Sequence, residues 1–180
     1  MNIFKSIKTK WLTRAIDREA QMFNKIMEEH NIDGARINVD REQEQVDLLY
    51  QINGEQYQSS IKLDDTKNIS KLLRAVRVFN DAANPKSVTA QTRKFATWAK
   101  VLGAGAIGWM INPWIGVIAG GYMALSAVGH TLSVYTVRKN FYSNEPGMNK
   151  NDIANAYLQL TAEQLGLEQK QIQQAIAQTV

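Results

Sequence analysis

Cysteine is absent from the 180 residues. That excludes disulfide staples, zinc-finger and iron–sulfur ligation, and a thiol nucleophile. Histidine is almost absent too. His30 and His130 are the two present, so imidazole-based metal sites have little raw material, and neither a metal nor a cofactor is expected. The first 30 residues contain no apolar h-region, so they do not read as a secretory leader, and no internal repeat is visible. The deepest absence is one of charge. Val101 to Val137 is a run of 37 positions without Asp, Glu, Lys or Arg. A mean hydropathy of −0.32 conceals that block behind polar flanks.

The three prolines, Pro85, Pro113 and Pro146, fall where a helix has to stop or turn. They divide the chain into a polar mixed segment (1–84), a basic linker with the apolar block (85–143), and a Gln- and Ala-rich tail (144–180). The expected class is α+β: an N-terminal α-β-β-α domain, a glycine-rich helical hairpin that crosses a membrane, and a short helical tail.

Residues 3 to about 30 read as one amphipathic helix, with Ile3, Phe4, Ile7, Trp11, Ile16, Phe23 and Met27 among the apolar residues at three- and four-residue spacing. Its first fourteen residues carry Lys5, Lys8, Lys10 and Arg14 and no acid. Such a helix either lies on an anionic leaflet or packs on the following sheet. Asp33-Gly34 then turns the chain. Val46, Leu48, Tyr50 and Ile52 have the two-residue period of a strand. Asn53-Gly54 is a hairpin turn, because both residues tolerate positive φ, and Tyr57, Ser59, Ile61 and Leu63 mark the return strand. Ala35 to Val39 is a candidate third strand. Asp65-Thr66 caps a helix over roughly 67–82.

Charge segregates sharply. From Glu28 to Asp65 there are ten acids and three bases, whereas from Thr66 to Lys100 there are eight bases and one acid, Asp81. The basic block abuts the apolar one. Crossing about 30 Å of hydrocarbon takes roughly 20 helical residues. Trp114 to Val137 supplies 24 and Phe95 to Ile111 supplies 17, with Lys100 placed to snorkel. Asn112-Pro113 separates the arms. Lys94 and Lys100 before the block, and Arg138 and Lys139 after it, with no charge at the turn, predict a cytoplasmic-membrane hairpin with both termini cytoplasmic. Trp98, Trp109 and Trp114 suit the interfaces. Gly103, Gly105 and Gly108 in one arm, with Gly116, Gly120, Gly121 and Gly129 in the other, let two backbones approach closely, within one hairpin or between copies. His130 in the second arm is a candidate for a polar path. His30 ends the first helix, where an imidazolium favours the negative dipole end.

Two decoys fall away. Gly103 to Gly108 fits GxGxxG, but Pro113 follows five residues later and no acid occurs before Glu145, so the dinucleotide fingerprint lacks its helix and its ribose ligand. Thr161 to Leu167, with Ile172 and Ile176 beyond, has the small–Gly–apolar spacing of a helix-turn-helix, with Gln169, Lys170, Gln171, Gln173 and Gln174 on its would-be reading helix. One lysine offers weak phosphate attraction, so a helical docking or oligomerisation element fits better and a nucleic-acid partner is not favoured. No catalytic set emerges, because Asp40, Glu42, Glu44 and Asp47 lie on a strand rim without a nearby histidine. The expectation is a non-enzymatic membrane anchor or scaffold that self-associates and recruits a protein partner. The competing expectation is a membrane-penetrating or pore-forming component, such as a phage ejection protein or toxin-like effector.

Overall fold

The structure, a computed structural model, describes residues 3–111, 113–142 and 149–172, with side chains from residue 7 onward except 98 and 101–126. Its order is α1 (Ile3–Glu29), β1 (Arg36–Asp40), β2 (Gln45–Ile52), β3 (Glu55–Lys62), α2 (Thr66–Ala83), α3 (Val88–Ile111), α4 (Pro113–Phe141), α5 (Lys150–Gln164) and β4 (Lys170–Gln171). The class is α+β. The chain forms two compact units, one of 1–77 with 141–180 and one of 78–140.

In the first unit an antiparallel sheet runs β1-β2-β3-β4. Asn53 and Gly54 take φ of 53° and 85° and place Ile52 opposite Glu55, as the two-residue turn requires. The register stacks Ile37, Leu48 and Ser59 in one row and Val39, Val46 and Ile61 in the next, all on one face. That face is covered by α1 and α5. Phe23, Ile26 and Met27 of α1, Leu72 of α2 and Leu158 of α5 are fully buried, each contributing roughly 1.5–3 kcal/mol. Two polar contacts tie α2 in. Arg77 Nε lies 3.4 Å from Oε1 of the buried Glu19 on α1, and the Tyr157 hydroxyl of α5 donates to the Ala75 carbonyl at 2.9 Å. Burial pushes the Tyr157 phenol far above its ordinary pKa.

Asparagines close the sheet where strands run out. Asn24 on α1 accepts from Ile37 N–H at 3.0 Å and donates to Ile37 C=O at 2.8 Å, occupying the edge of β1 as another strand would. Asn155 on α5 accepts from Gln51 N–H at 2.7 Å and donates to Asp33 C=O at 3.2 Å. It enters the ladder just past the last β1–β2 pair, Arg36–Leu49. Asp65 caps α2, accepting from Asn68 N–H at 3.1 Å.

Three expectations need correction. The N-terminal segment is α-β-β-β-α, because Arg36–Asp40 pairs along its whole length with β2. The tail is not wholly helical. After α5, Gly166 takes φ of 67°, Gly166 N–H bonds Glu163 C=O and Leu167 N–H bonds Ala162 C=O, which ends the helix in a Schellman turn. Lys170–Gln171 then pairs with β3, so these two residues, expected in a helical docking element, extend a sheet edge instead. Third, among the described residues no helix is long and apolar enough to cross a membrane, and the membrane-crossing character expected of the hairpin receives no support there. The helices themselves break where expected, α3 ending at Ile111 and α4 starting at Pro113, a first-turn position that suits proline. Gly103 to Gly108 lies inside α3 with no strand before it, which disposes of the dinucleotide fingerprint.

Candidate functional site

Within the second unit, α2 ends before Pro85, and Ser87 opens α3, its hydroxyl accepting from Ala90 N–H at 3.1 Å. This short link returns the chain so that the start of α3 and the end of α4 line one cleft of about 360 Å³. Asp81, in the last turn of α2, is buried at the cleft wall. Arg93 Nη2 on α3 lies 3.4 Å from its Oδ1, and His130 Nε2 on α4 lies 3.8 Å from its Oδ2. One carboxylate thus joins three helices. Lys94 and Arg138 also line the cleft, alongside the apolar Pro85, Ala90 and Val134. Neither Lys94 nor Arg138 has a carboxylate within ion-pair distance among the described residues.

His130 makes no hydrogen bond to a hydroxyl nucleophile among the described residues, and its separation from Asp81 is that of an ion pair rather than a hydrogen bond. Thr97 and Thr131 spend their hydroxyl protons on Arg93 C=O and Ala127 C=O of their own helices. Among the described residues no group of three or more metal-ligating side chains forms.

Of the residues singled out from sequence, the structure brings Lys94, His130 and Arg138 to this cleft. Lys100 and Lys139 are exposed elsewhere on α3 and α4. Gly129 is exposed, and no described atom lies within 4 Å of a Cβ built there. The side chains of Trp98, Trp109 and Trp114, and the surroundings of Gly103, Gly105, Gly108, Gly116, Gly120 and Gly121, lie outside the described residues. Asp81 and Arg93 escaped as site residues. The signal for Asp81 was its being the one acid in a stretch with eight bases.

His30 does not behave as a charged cap. It adjoins the edge-on ring of Phe141 at 5.1 Å, and Lys150 Nζ lies 3.2 Å from its Nδ1. Burial, then the Lys150 charge, hold its pKa below the ordinary value, against a smaller opposing effect of Glu29. The neutral ring accepts from the ammonium, and the helix end is closed instead by Asn31 in the left-handed region, with Ile32 N–H bonding Met27 C=O at 2.8 Å.

Apolar side chains remain exposed in both units. On α1 they are Ile7 and Trp11, and on α3 and α4 they are Phe95, Val128, Leu132 and Tyr135. From Leu12 onward α1 buries its apolar face, so the sheet-packing reading holds for that part of the helix, while the two turns before it present Ile7 and Trp11 beside Lys8, Lys10 and Arg14. No protein-family model, curated protein or solved structure matches the chain.

Proposed function

We propose that the chain is a non-enzymatic membrane anchor and scaffold. Helices α3 and α4 enter the cytoplasmic membrane as a hairpin with both termini cytoplasmic, and the sheet-containing unit recruits a protein partner. The observation that carries this reading is the exposure of Phe95 on α3 and of Val128, Leu132 and Tyr135 on α4. These are large apolar side chains on the two helices that flank an uncharged run. A helix in water turns such residues inward, and a helix in lipid turns them outward. The spacing of Val128, Leu132 and Tyr135, four residues and then three, makes one stripe. Arg138 and Lys139 follow it, where a cytoplasmic boundary places basic residues. The glycine spacing at Gly116 and Gly120 provides a seam for self-association, and Ile7 and Trp11 with their lysines provide a second, interfacial contact with anionic lipid.

The test is fractionation of expressing cells followed by alkaline carbonate. The anchor remains in the pellet, whereas recovery of the chain in the carbonate supernatant overturns the reading. Topology is read separately with Asn112→Cys, the single thiol in an otherwise cysteine-free chain. It should react with an impermeant maleimide only from outside the cytoplasm. Release of dye from liposomes by the purified chain would instead favour a pore-forming component.

A further inference from the structure

We propose that the cleft between α3 and α4 binds a phosphate ester that carries an apolar group. This goes beyond the anchoring reading and does not rest on it. Three observations converge. The cleft, at about 360 Å³, falls within the size range of small-ligand sites. Its charge is unbalanced in one direction, because Lys94 and Arg138 line it with a single carboxylate, Asp81, which Arg93 already engages at 3.4 Å. Lys94 and Arg138 stand on different helices and no described carboxylate pairs with either, so a ligand between them meets two cations. A phosphate monoester, with a charge of about −1.5 to −2 at neutral pH, matches that pair, and a carboxylate with one charge matches half of it.

The donor set agrees. Thr97 and Thr131 donate to their own helices and offer an anion nothing. The Arg138 fork, the Lys94 ammonium and the phenol of Tyr135 remain, and charge-assisted bonds from the first two are the strong kind. The α3 N-terminus, where Ala90 and Gln91 line the same cleft, adds the positive end of a helix dipole. Pro85, Ala90 and Val134 form the apolar wall, which gives the ester substituent a place to sit. Two sources supply such a ligand: a soluble phosphoester, or the headgroup of an anionic phospholipid with its first carbons.

The test uses the full chain and two arms. In the soluble arm, phenyl phosphate, inorganic phosphate and benzoate are titrated calorimetrically into detergent-solubilised protein. Phenyl phosphate should bind most tightly, and the double variant Lys94→Gln/Arg138→Gln should weaken it about tenfold or more, the scale of a lost charge-assisted contact. The charge-matched control Lys67→Gln/Lys71→Gln is not among the residues lining the cleft and should leave binding within about twofold of the parent, a few tenths of a kcal/mol. In the lipid arm, flotation with vesicles containing phosphatidic acid, whose headgroup is a phosphate monoester, and with pure phosphatidylcholine vesicles is compared for the same proteins. Binding confined to the soluble arm identifies a soluble phosphoester. Binding confined to the phosphatidic acid vesicles, lost in the cleft variant and kept in the control, identifies a headgroup. Equal weakening by both double variants, benzoate binding as tightly as phenyl phosphate, or no binding in either arm overturns the proposal. Should the cleft variant fail to fold, Val134→Trp fills the cleft without changing its charge and must abolish binding. If phenyl phosphate or the vesicles still bind that variant normally, the site is elsewhere. Loss of membrane retention in cells would leave the soluble arm readable, so the two readings fail separately.

Discussion

His30 and Asn155 show how much single side chains decide here. The His30 ring is held below its ordinary pKa by burial and by Lys150, and the sign of the resulting pH dependence follows. Above about pH 6.5, the ordinary histidine value, the ring is neutral in both folded and unfolded chains and contributes no difference. As the pH falls through that value, the unfolded chain takes up a proton that the folded chain refuses. Stability therefore declines on acidification until the folded value is reached, and is constant below it. The melting temperature of the parent should fall more between pH 7 and pH 5 than that of His30→Gln. Lys150→Met, which removes the second cause, should return the His30 titration towards pH 6.5 in NMR. An unchanged titration would assign the shift to burial alone. Asn155 is buried and serves Gln51 N–H, Asp33 C=O and Asn151 C=O at once. Asn155→Leu keeps the volume and removes every partner, so urea unfolding should show a loss of about 1–3 kcal/mol, the cost of stranded buried polar groups. A loss within experimental error would mean that water replaces the amide.

At the scale of elements, the two closed helix ends share one geometry reached with different residues. Asn31 ends α1 at φ 52° and Gly166 ends α5 at φ 67°. A Cβ at Gly166 meets nothing within 4 Å, so Gly166→Ala isolates the backbone cost of the left-handed region, about 1–2 kcal/mol, and thermal unfolding should register it without other structural change. The elements that local chemistry dictates were legible in the sequence. Asn53-Gly54 forces its turn, Asp65 caps α2, Pro113 opens α4, and the apolar spacing of α1 runs to within a residue of its observed end. The strands that depend on distant partners were harder. β1 reads only as a short candidate because Ile37 alone of its five residues is fully buried, and its free edge is satisfied by Asn24, thirteen residues back. β4 reads as a helix because Thr161 to Leu167 has the small–Gly–apolar spacing of a helix-turn-helix, whereas what fixes the segment is Gln56 C=O, which accepts from Ile172 N–H across more than a hundred residues. The cleft has the same character. Lys94, His130 and Arg138 each stand out singly, but Asp81 and Arg93, which join the helices, are visible only once α2, α3 and α4 are brought together.

For the whole molecule, the decisive question is what surrounds the exposed stripe on α4, and depth supplies a graded answer. Leu132 lies six residues and Val128 ten residues before Arg138, or about 9 and 15 Å along a helix at 1.5 Å per residue. If Arg138 sits at the boundary of a bilayer whose hydrocarbon is about 30 Å thick, Val128 lies near its centre and Leu132 nearer its edge. A lysine at the centre of an inserted helix costs about 2.5–3.5 kcal/mol on insertion scales, and near the end it snorkels out at smaller cost. Val128→Lys should therefore lower the carbonate-resistant fraction in cells strongly and Leu132→Lys only modestly, with Lys139→Gln changing it little. If α4 faces water instead, both lysines replace exposed side chains without burial, and stability should move by no more than about 0.5 kcal/mol for either. The chain would then be recovered in the supernatant regardless of the variant. A flat response across the two positions is incompatible with a helix passing through a membrane. A response that steepens from Leu132 to Val128 is difficult to obtain from any helix in water, because water has no depth.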